Sequence, residues 1–195
     1  MSNNRINLHL QEGSRGAWQL RKFTISEQEA KMDWLRCAIN GRKERAVEAG
    51  EYWMLTEHGG IYMSNTPAEV RDHMKFIETA RGSVLIAGLG LGMVVQALLD
   101  RGQCHRIVIV EKSQDVIDLV SPYYQDHRVE IVCSDIFDYR PTEHFDYAWF
   151  DIWPEISGDN YPQMKRLHRK FAKSVSNRSS WCRRESRRLY DRDSC

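Results

Sequence analysis

Two rhythms of apolar residues divide the chain. From Ser83 onward, short continuous runs of Val, Ile and Leu alternate with segments whose apolar positions recur at helical spacing. Val84 to Ala87, "HRIVIVEK", "RVEIVCSD" and "FDYAWFDIW" are four such runs. Unbroken apolar runs of this length are what strands covered on both faces show. Between and after them, Met93 to Leu99, "SQDVIDLVSPYY" with Ser113 as its cap, and "NYPQMKRLHRKFAK" with Pro162 in its first turn read as helices. Strands alternating with helices predict an α/β domain built on a doubly wound, mainly parallel sheet.

Before Ser83 the pattern is less regular. "AWQLRKFTIS" predicts a strand, and "SEQEAKMDWLRCAING" a helix with Ser26 and Glu29 as a capping box and Gly41 at its stop. "EYWMLTEHGGIYMS" predicts a hairpin about His58-Gly59-Gly60. In "TPAEVRDHMKFIETARG", Thr66 is a suitable N-cap, Pro67 suits the first helical position and Glu69 completes a second capping box. Val70, Met74, Phe76 and Ile77 form its apolar face, and Gly82 ends it. After Lys173, "SVSNRSSWCRRESRRLYDRDSC" offers no further Val/Ile run and reads as a loop followed by a basic helix. The expected organisation is an N-terminal extension over residues 1–80 (helix, β-hairpin, helix) packing on a core over residues 81–173, with a basic tail over residues 174–195. On this reading the sheet is truncated after its fourth core strand. One edge then needs cover, from the C-terminal helix or from a second copy in a homo-oligomer.

Charge sharpens the picture of the tail. The net charge of +1 conceals eleven Lys and Arg against three acids between Met164 and Cys195, while the rest of the chain is acidic. A solvated basic helix, docking on the acidic body, or an anionic partner such as nucleic acid would each use that asymmetry. Aromatic residues interleave the tail only at Trp181 and Tyr190, so base stacking is not indicated. Five cysteines without a Cys-x-x-Cys pair, and no signal peptide before them, imply reduced thiols in a cytoplasmic protein and no structural zinc. The seven histidines form no ligand cluster, so no metal is expected, and Glu69 with His73 reads as polarity on a helix surface. Ser83 to Leu99 carries no charge over seventeen residues, but glycines cut it in the middle, and two short elements explain it better than a membrane span.

The candidate chemistry lies in "VLIAGLGLG". Gly88, Gly90 and Gly92 stand where a strand turns into a helix. A turn without Cβ atoms lets its backbone approach a ligand closely and take positive φ, and its unpaired N–H groups suit an electronegative partner. The dinucleotide fingerprint would place its third glycine at position 93, which is Met93, so a nicotinamide dinucleotide is the weaker reading.

This turn, followed by "IVIVEKSQDVI", "VEIVCSDIFDY" and "FDYAWFDIWP", resembles the class I S-adenosylmethionine-dependent methyltransferases over residues 83–173. The resemblance implies a Rossmann-like fold, S-adenosyl-L-methionine as cofactor, S-adenosyl-L-homocysteine as product, and an acceptor that the motifs do not identify. By position, Gly88, Gly90 and Gly92 would face the methionine moiety and the adenosine, and Glu111 would bond both ribose hydroxyls. Asp135 would receive the adenine amino group, and Ile136 would pack near the ring. Asp151 ends the fourth strand on the substrate side, where it would orient a nucleophile or accept its proton. Trp153, in the loop beyond, would stack on a substrate or a cation, whereas Trp149 reads as core.

The family's usual acid two residues before the first glycine is here Ile86. A branch that lacks it is the polyamine synthases, and the hairpin and helix before the first core strand resemble their layout. Their glutamine, however, is matched by Tyr62, and their Asp-Glu pair by Pro67-Ala68. The order of motifs also resembles short methyltransferase-like proteins of phage and bacterial genomes. The expected activity is therefore methyl transfer to an unidentified acceptor. Aminopropyl transfer and a non-catalytic cofactor-binding or nucleic-acid-associated protein stand as alternatives.

Overall fold

The computed structural model describes residues 6–193, so the first five residues and the last two, Cys195 among them, lie outside the described residues. The N-terminal part contains strands β1 (Gly13–Arg15) and β2 (Trp18–Ile25), helix α1 (Glu27–Ile39), strands β3 (Gly50–Glu57) and β4 (Gly60–Ser64), and helix α2 (Pro67–Thr79). The four strands form one antiparallel sheet in sequence order. The β3–β4 hairpin turns on His58 and Gly59, both at positive φ, as a tight hairpin turn requires.

The second part alternates. It runs β5 (Gly82–Ala87), α3 (Met93–Arg101), β6 (Cys104–Glu111), α4 (Gln114–Val120), β7 (Val129–Cys133), β8 (Phe145–Phe150), α5 (Asn160–Lys170), β9 (Val175–Ser180) and α6 (Arg183–Asp193). Five strands pair in the order β7-β6-β5-β8-β9, every pair parallel. The continuous apolar runs have a direct cause, because successive side chains serve opposite faces. Val84, Ile86, Ile107 and Ile109 pack with α3, α4 and the N-terminal part, where Leu20 and Leu55 of its sheet and Phe76 of α2 join them. Leu85, Ala87, Val108 and Val110 pack on the other face against Met164, Leu167 and Phe171. Each such Leu, Ile or Phe contributes about 1.5–3 kcal/mol on burial. The chain therefore has a Rossmann-like α/β fold with both faces of the sheet covered.

The sheet is not truncated after its fourth core strand. Residues read as a loop from sequence form β9, paired with β8 from Phe145↔Val175 to Phe150↔Ser180. Only Val175 and Ser180 of that strand are buried, because it lies at the sheet edge and is held by backbone pairing more than by apolar side chains. Beyond it, α6 packs on α5, where the Tyr161 and Tyr190 rings meet and the Lys165 ammonium lies over both.

Caps divide in the same way. Ser26 and Glu29 form the expected box, with Ser26 N–H donating to Glu29 Oε2 at 2.8 Å. At α2 the expected box does not form, and Thr66 makes no side-chain cap bond. Glu69 instead accepts the N–H and the hydroxyl of Ser64, at 2.7 and 2.8 Å, tying the helix to the end of β4. Gly82 is not the stop of α2, which ends at Thr79; it is the first residue of β5. No helix among the described residues is long and apolar enough to cross a membrane, and Ser83 to Leu99 is split between β5 and α3.

Candidate functional site

In an open parallel sheet, the crevice for a ligand lies beyond the carboxyl ends of the strands, where the strand order reverses. Here that point falls between β5 and β8, and the residues that follow them meet directly. Asp151 N–H donates to Ala87 O at 3.0 Å. A Cβ placed on Gly88 would stand 2.2 Å from the Asp151 carbonyl oxygen. The neighbouring strand end therefore requires glycine at position 88 in addition to any ligand approach that the sequence predicts. Gly90 is likewise hemmed in by protein, with the Met63 sulfur 2.3 Å from where its Cβ would be. Gly92, at φ 70°, opens α3 against the Tyr124 ring.

A cavity of about 490 Å³ opens here, within the usual size of small-molecule sites. Of the eight residues singled out from sequence, Gly88, Gly90, Glu111, Asp135, Ile136, Asp151 and Trp153 line it, and Gly92 does not. Glu111 is buried at the end of β6. Its Oε2 accepts Leu89 N–H at 2.9 Å and its Oε1 accepts Ser113 N–H at 2.8 Å, so the carboxylate is fixed between the glycine turn and the cap of α4. Each oxygen retains a second lone pair. Of the backbone donors from Gly88 to Gly92, Gly90 N–H alone among the described residues has no protein acceptor. Asp135 is exposed at the end of β7, with Oδ1 held by Phe137 N–H at 2.7 Å, while Ile136 is buried behind it.

The opposite wall is acidic. Asp151 has only 16% of its side chain exposed, and burial pushes its carboxyl up to about 7. The indole N–H of Trp149 opposes that rise, and the carboxylates of Glu69 and Asp72 add to it. Asp72 Oδ1 pairs with Arg45 Nη1 at 2.5 Å, but its buried Oδ2 has no partner. His73 is 2% exposed, with Nδ1 at 3.6 Å from Asp151 Oδ2 and no hydrogen bond, and burial lowers its imidazole to about 4. The Tyr62 hydroxyl donates to Ile152 O at 3.4 Å. Burial and, after it, Glu111 and Asp151 raise that phenol to about 12.

Sequence reasoning missed much of this wall. His73 is not surface polarity: it stands three residues after Val70 and four before Ile77, on the buried stripe of α2. That spacing was the available signal. Trp149, read as core, also lines the cavity, and its buried indole N–H is directed at Asp151 without completing a hydrogen bond. Trp153 is buried as well, its N–H donating to Gln163 Oε1 at 3.1 Å. Among the described residues, no group of three His, Cys, Asp or Glu is arranged to hold a metal ion.

No family model and no curated protein matches the chain. Solved structures do. DhpI in complex with SAH is 21% identical, covering 55% of this chain and 52% of that one, with a TM-score of 0.44. The N-methyltransferase NodS from Bradyrhizobium japonicum WM9 is 16% identical, covering 55% and 62%, also at 0.44. Spermidine synthase from Thermotoga maritima is 14% identical, covering 85% of this chain and 52% of that one, at 0.50. The chain spans about half the length of the first of these and of the spermidine synthase. At such identities the likeness is one of fold alone, the Rossmann-like fold shared with the spermidine synthase structure.

Proposed function

We propose that the chain binds S-adenosyl-L-methionine and transfers its methyl group to the nitrogen of a cationic amine, releasing S-adenosyl-L-homocysteine. The observation that carries this reading is one cavity with two unlike walls: a glycine turn with a fixed carboxylate on one side, and unpartnered buried polar atoms among acids on the other. The cofactor wall fits its ligand. The spare lone pairs of Glu111 suit two ribose hydroxyls, and the unused Gly90 N–H suits the negative end of an amino acid. Asp135 would take the adenine amino group and Ile136 would pack on the ring.

When bound, the cofactor supplies an already electrophilic methyl group, so the protein's contribution is alignment and handling of a proton. Asp72 and Asp151 would hold an ammonium, and Asp151, with its carboxyl raised to about 7, is poised to take a proton from it near neutral pH. Trp153, fixed by Gln163, would form a rigid side to the acceptor site. The test is a methylation assay on a panel of amines read by mass spectrometry, in which Asp151→Asn should lower turnover at least tenfold while S-adenosylhomocysteine still binds.

One observation favours a second reading. The likeness to spermidine synthase extends over 85% of the chain, beyond the parallel sheet alone. Aminopropyl transfer would use the same acidic wall. Decarboxylated S-adenosylmethionine should then raise the melting temperature more than S-adenosylmethionine does, and the reverse order supports methyl transfer. A non-catalytic binder would show either shift without turnover.

A further inference from the structure

We propose that His73 and Asp151 act as one unit, a buried imidazole–carboxyl pair in which His73 is the positioning residue for the proton that Asp151 receives. The inference rests on the reading of Asp151 as acceptor of a proton from the amine. It begins with a cost. A buried polar atom without a partner is expensive, and a histidine kept for packing would be expected to satisfy its ring nitrogens from the surrounding backbone. His73 Nδ1 is unsatisfied although the residue lies in the middle of α2 with 2% of its side chain exposed. Its ring is held edge-on to Trp149, with centroids 5.6 Å apart at 70°, so it is well placed and yet unbonded. What faces it is Asp151 Oδ2 at 3.6 Å, a few tenths of an ångström beyond a hydrogen bond.

The charges around the pair explain why it would hold a single proton. Glu69 and Asp72 approach Asp151 from α2, and the Tyr62 phenol from β4 and the Cys182 thiol beyond β9 both sense its charge. Arg45, which could have neutralised the carboxylate, is paired with Asp72. Glu111 faces Tyr62 across the cavity. Apart from the Trp149 indole N–H, little compensates an ionised Asp151, whereas a protonated Asp151 needs an acceptor for its O–H. His73 Nδ1 is that acceptor when the ring carries its proton on Nε2.

The step balances. An N–H bond of the acceptor ammonium breaks, its electron pair stays on nitrogen, and the proton passes to a carboxylate oxygen of Asp151. The new O–H donates to His73 Nδ1, which keeps the proton on the side away from the amine. No oxidation or reduction occurs. Burial holds the imidazole neutral through the physiological range, as an acceptor requires.

The test uses the chain without ligand, so that it stands apart from cofactor binding. Histidine ¹⁵N NMR should show His73 neutral at pH 7 with Nδ1 unprotonated, and its shifts should follow a titration near neutrality that disappears in Asp151→Asn. A protonated Nδ1 at pH 7, or a titration unchanged in Asp151→Asn, overturns the pairing. In the assay, His73→Gln should move the acidic limb of the kcat profile by about one pH unit or more, with affinity for S-adenosylhomocysteine within twofold of the parent. Should His73→Gln not fold, His73→Asn is measured in its place. An unmoved profile in the folded variant overturns the role. Failure of S-adenosylhomocysteine to bind would strike the proposed function while leaving the NMR result to decide the pair.

Discussion

The Met63 sulfur lies 3.2 Å from the Leu91 amide nitrogen and accepts its N–H. A residue of the N-terminal hairpin therefore closes the glycine turn of the parallel sheet, and the two sheets are joined at the site itself. Met63→Leu keeps the volume and removes the acceptor, and should cost about 1 kcal/mol in urea denaturation. Gly90→Ala sets a Cβ against that sulfur and should cost more. Combining Gly90→Ala with Met63→Ala should give a smaller loss than the sum of the single variants, since the clash is then relieved. Simple additivity would contradict the contact.

Gly92 and Tyr124 provide an independent check on the turn. The Tyr124 hydroxyl donates to Leu91 O at 2.8 Å, and its ring fills the space beside Gly92. Tyr124→Phe removes one buried hydrogen bond and should cost about 1–2 kcal/mol. Gly92→Ala must move the ring and hold alanine at φ 70°, so a loss of roughly 2 kcal/mol or more is expected in the same denaturation measurement.

Stability should report the buried acid at Asp151. Its carboxyl is raised from the ordinary 3.8 to about 7, so between those values the folded chain holds a proton that the unfolded chain has released. That contribution is fully present below about pH 4 and is lost as pH rises through 7. His73, lowered from 6.5 to about 4, acts in the opposite sense over pH 4 to 6.5, so the wild-type curve blends the two. The difference between Asp151→Asn and wild type isolates the acid. The variant should gain on wild type by up to roughly 4 kcal/mol between pH 4 and pH 8. A pH-independent difference in denaturation midpoints would show that Asp151 titrates normally.

The basic face makes a separate prediction. Arg184, Arg187 and Arg188 are exposed on α6, and Arg166 and Arg169 on α5, which packs against it. If nucleic acid is a partner, binding to a duplex should weaken steeply between about 50 and 200 mM salt. Neutralising Arg184, Arg187 and Arg188 together should then abolish it. Salt-insensitive binding, or none, removes nucleic acid as the partner.

The legibility of the fold followed the apolar pattern, which β7 carries at a sheet edge without a fully buried residue. Strands β5, β6 and β8 stood out in sequence because both faces are covered and nearly every position is apolar. Strand β9, with only its end residues buried, carries no such mark, although its backbone pairs just as regularly. The glycine-turn wall was visible because strand ends and glycine turns are local features. The acidic wall was not, since Asp72, His73 and Tyr62 reach Asp151 only through the packing of α2 and β4 on the parallel sheet. Glu69 shows the same limit: its spacing from Thr66 suggested a cap, but Ser64 was the nearer donor in three dimensions.

Isothermal titration calorimetry of S-adenosylhomocysteine against the purified chain tests the central claim most directly. One site per chain is predicted, with affinity falling at least tenfold in Glu111→Gln, because an amide offers one acceptor oxygen where the carboxylate offers two. Absence of binding heat and of any melting shift with the wild-type protein, or equal affinity in Glu111→Gln, would contradict it.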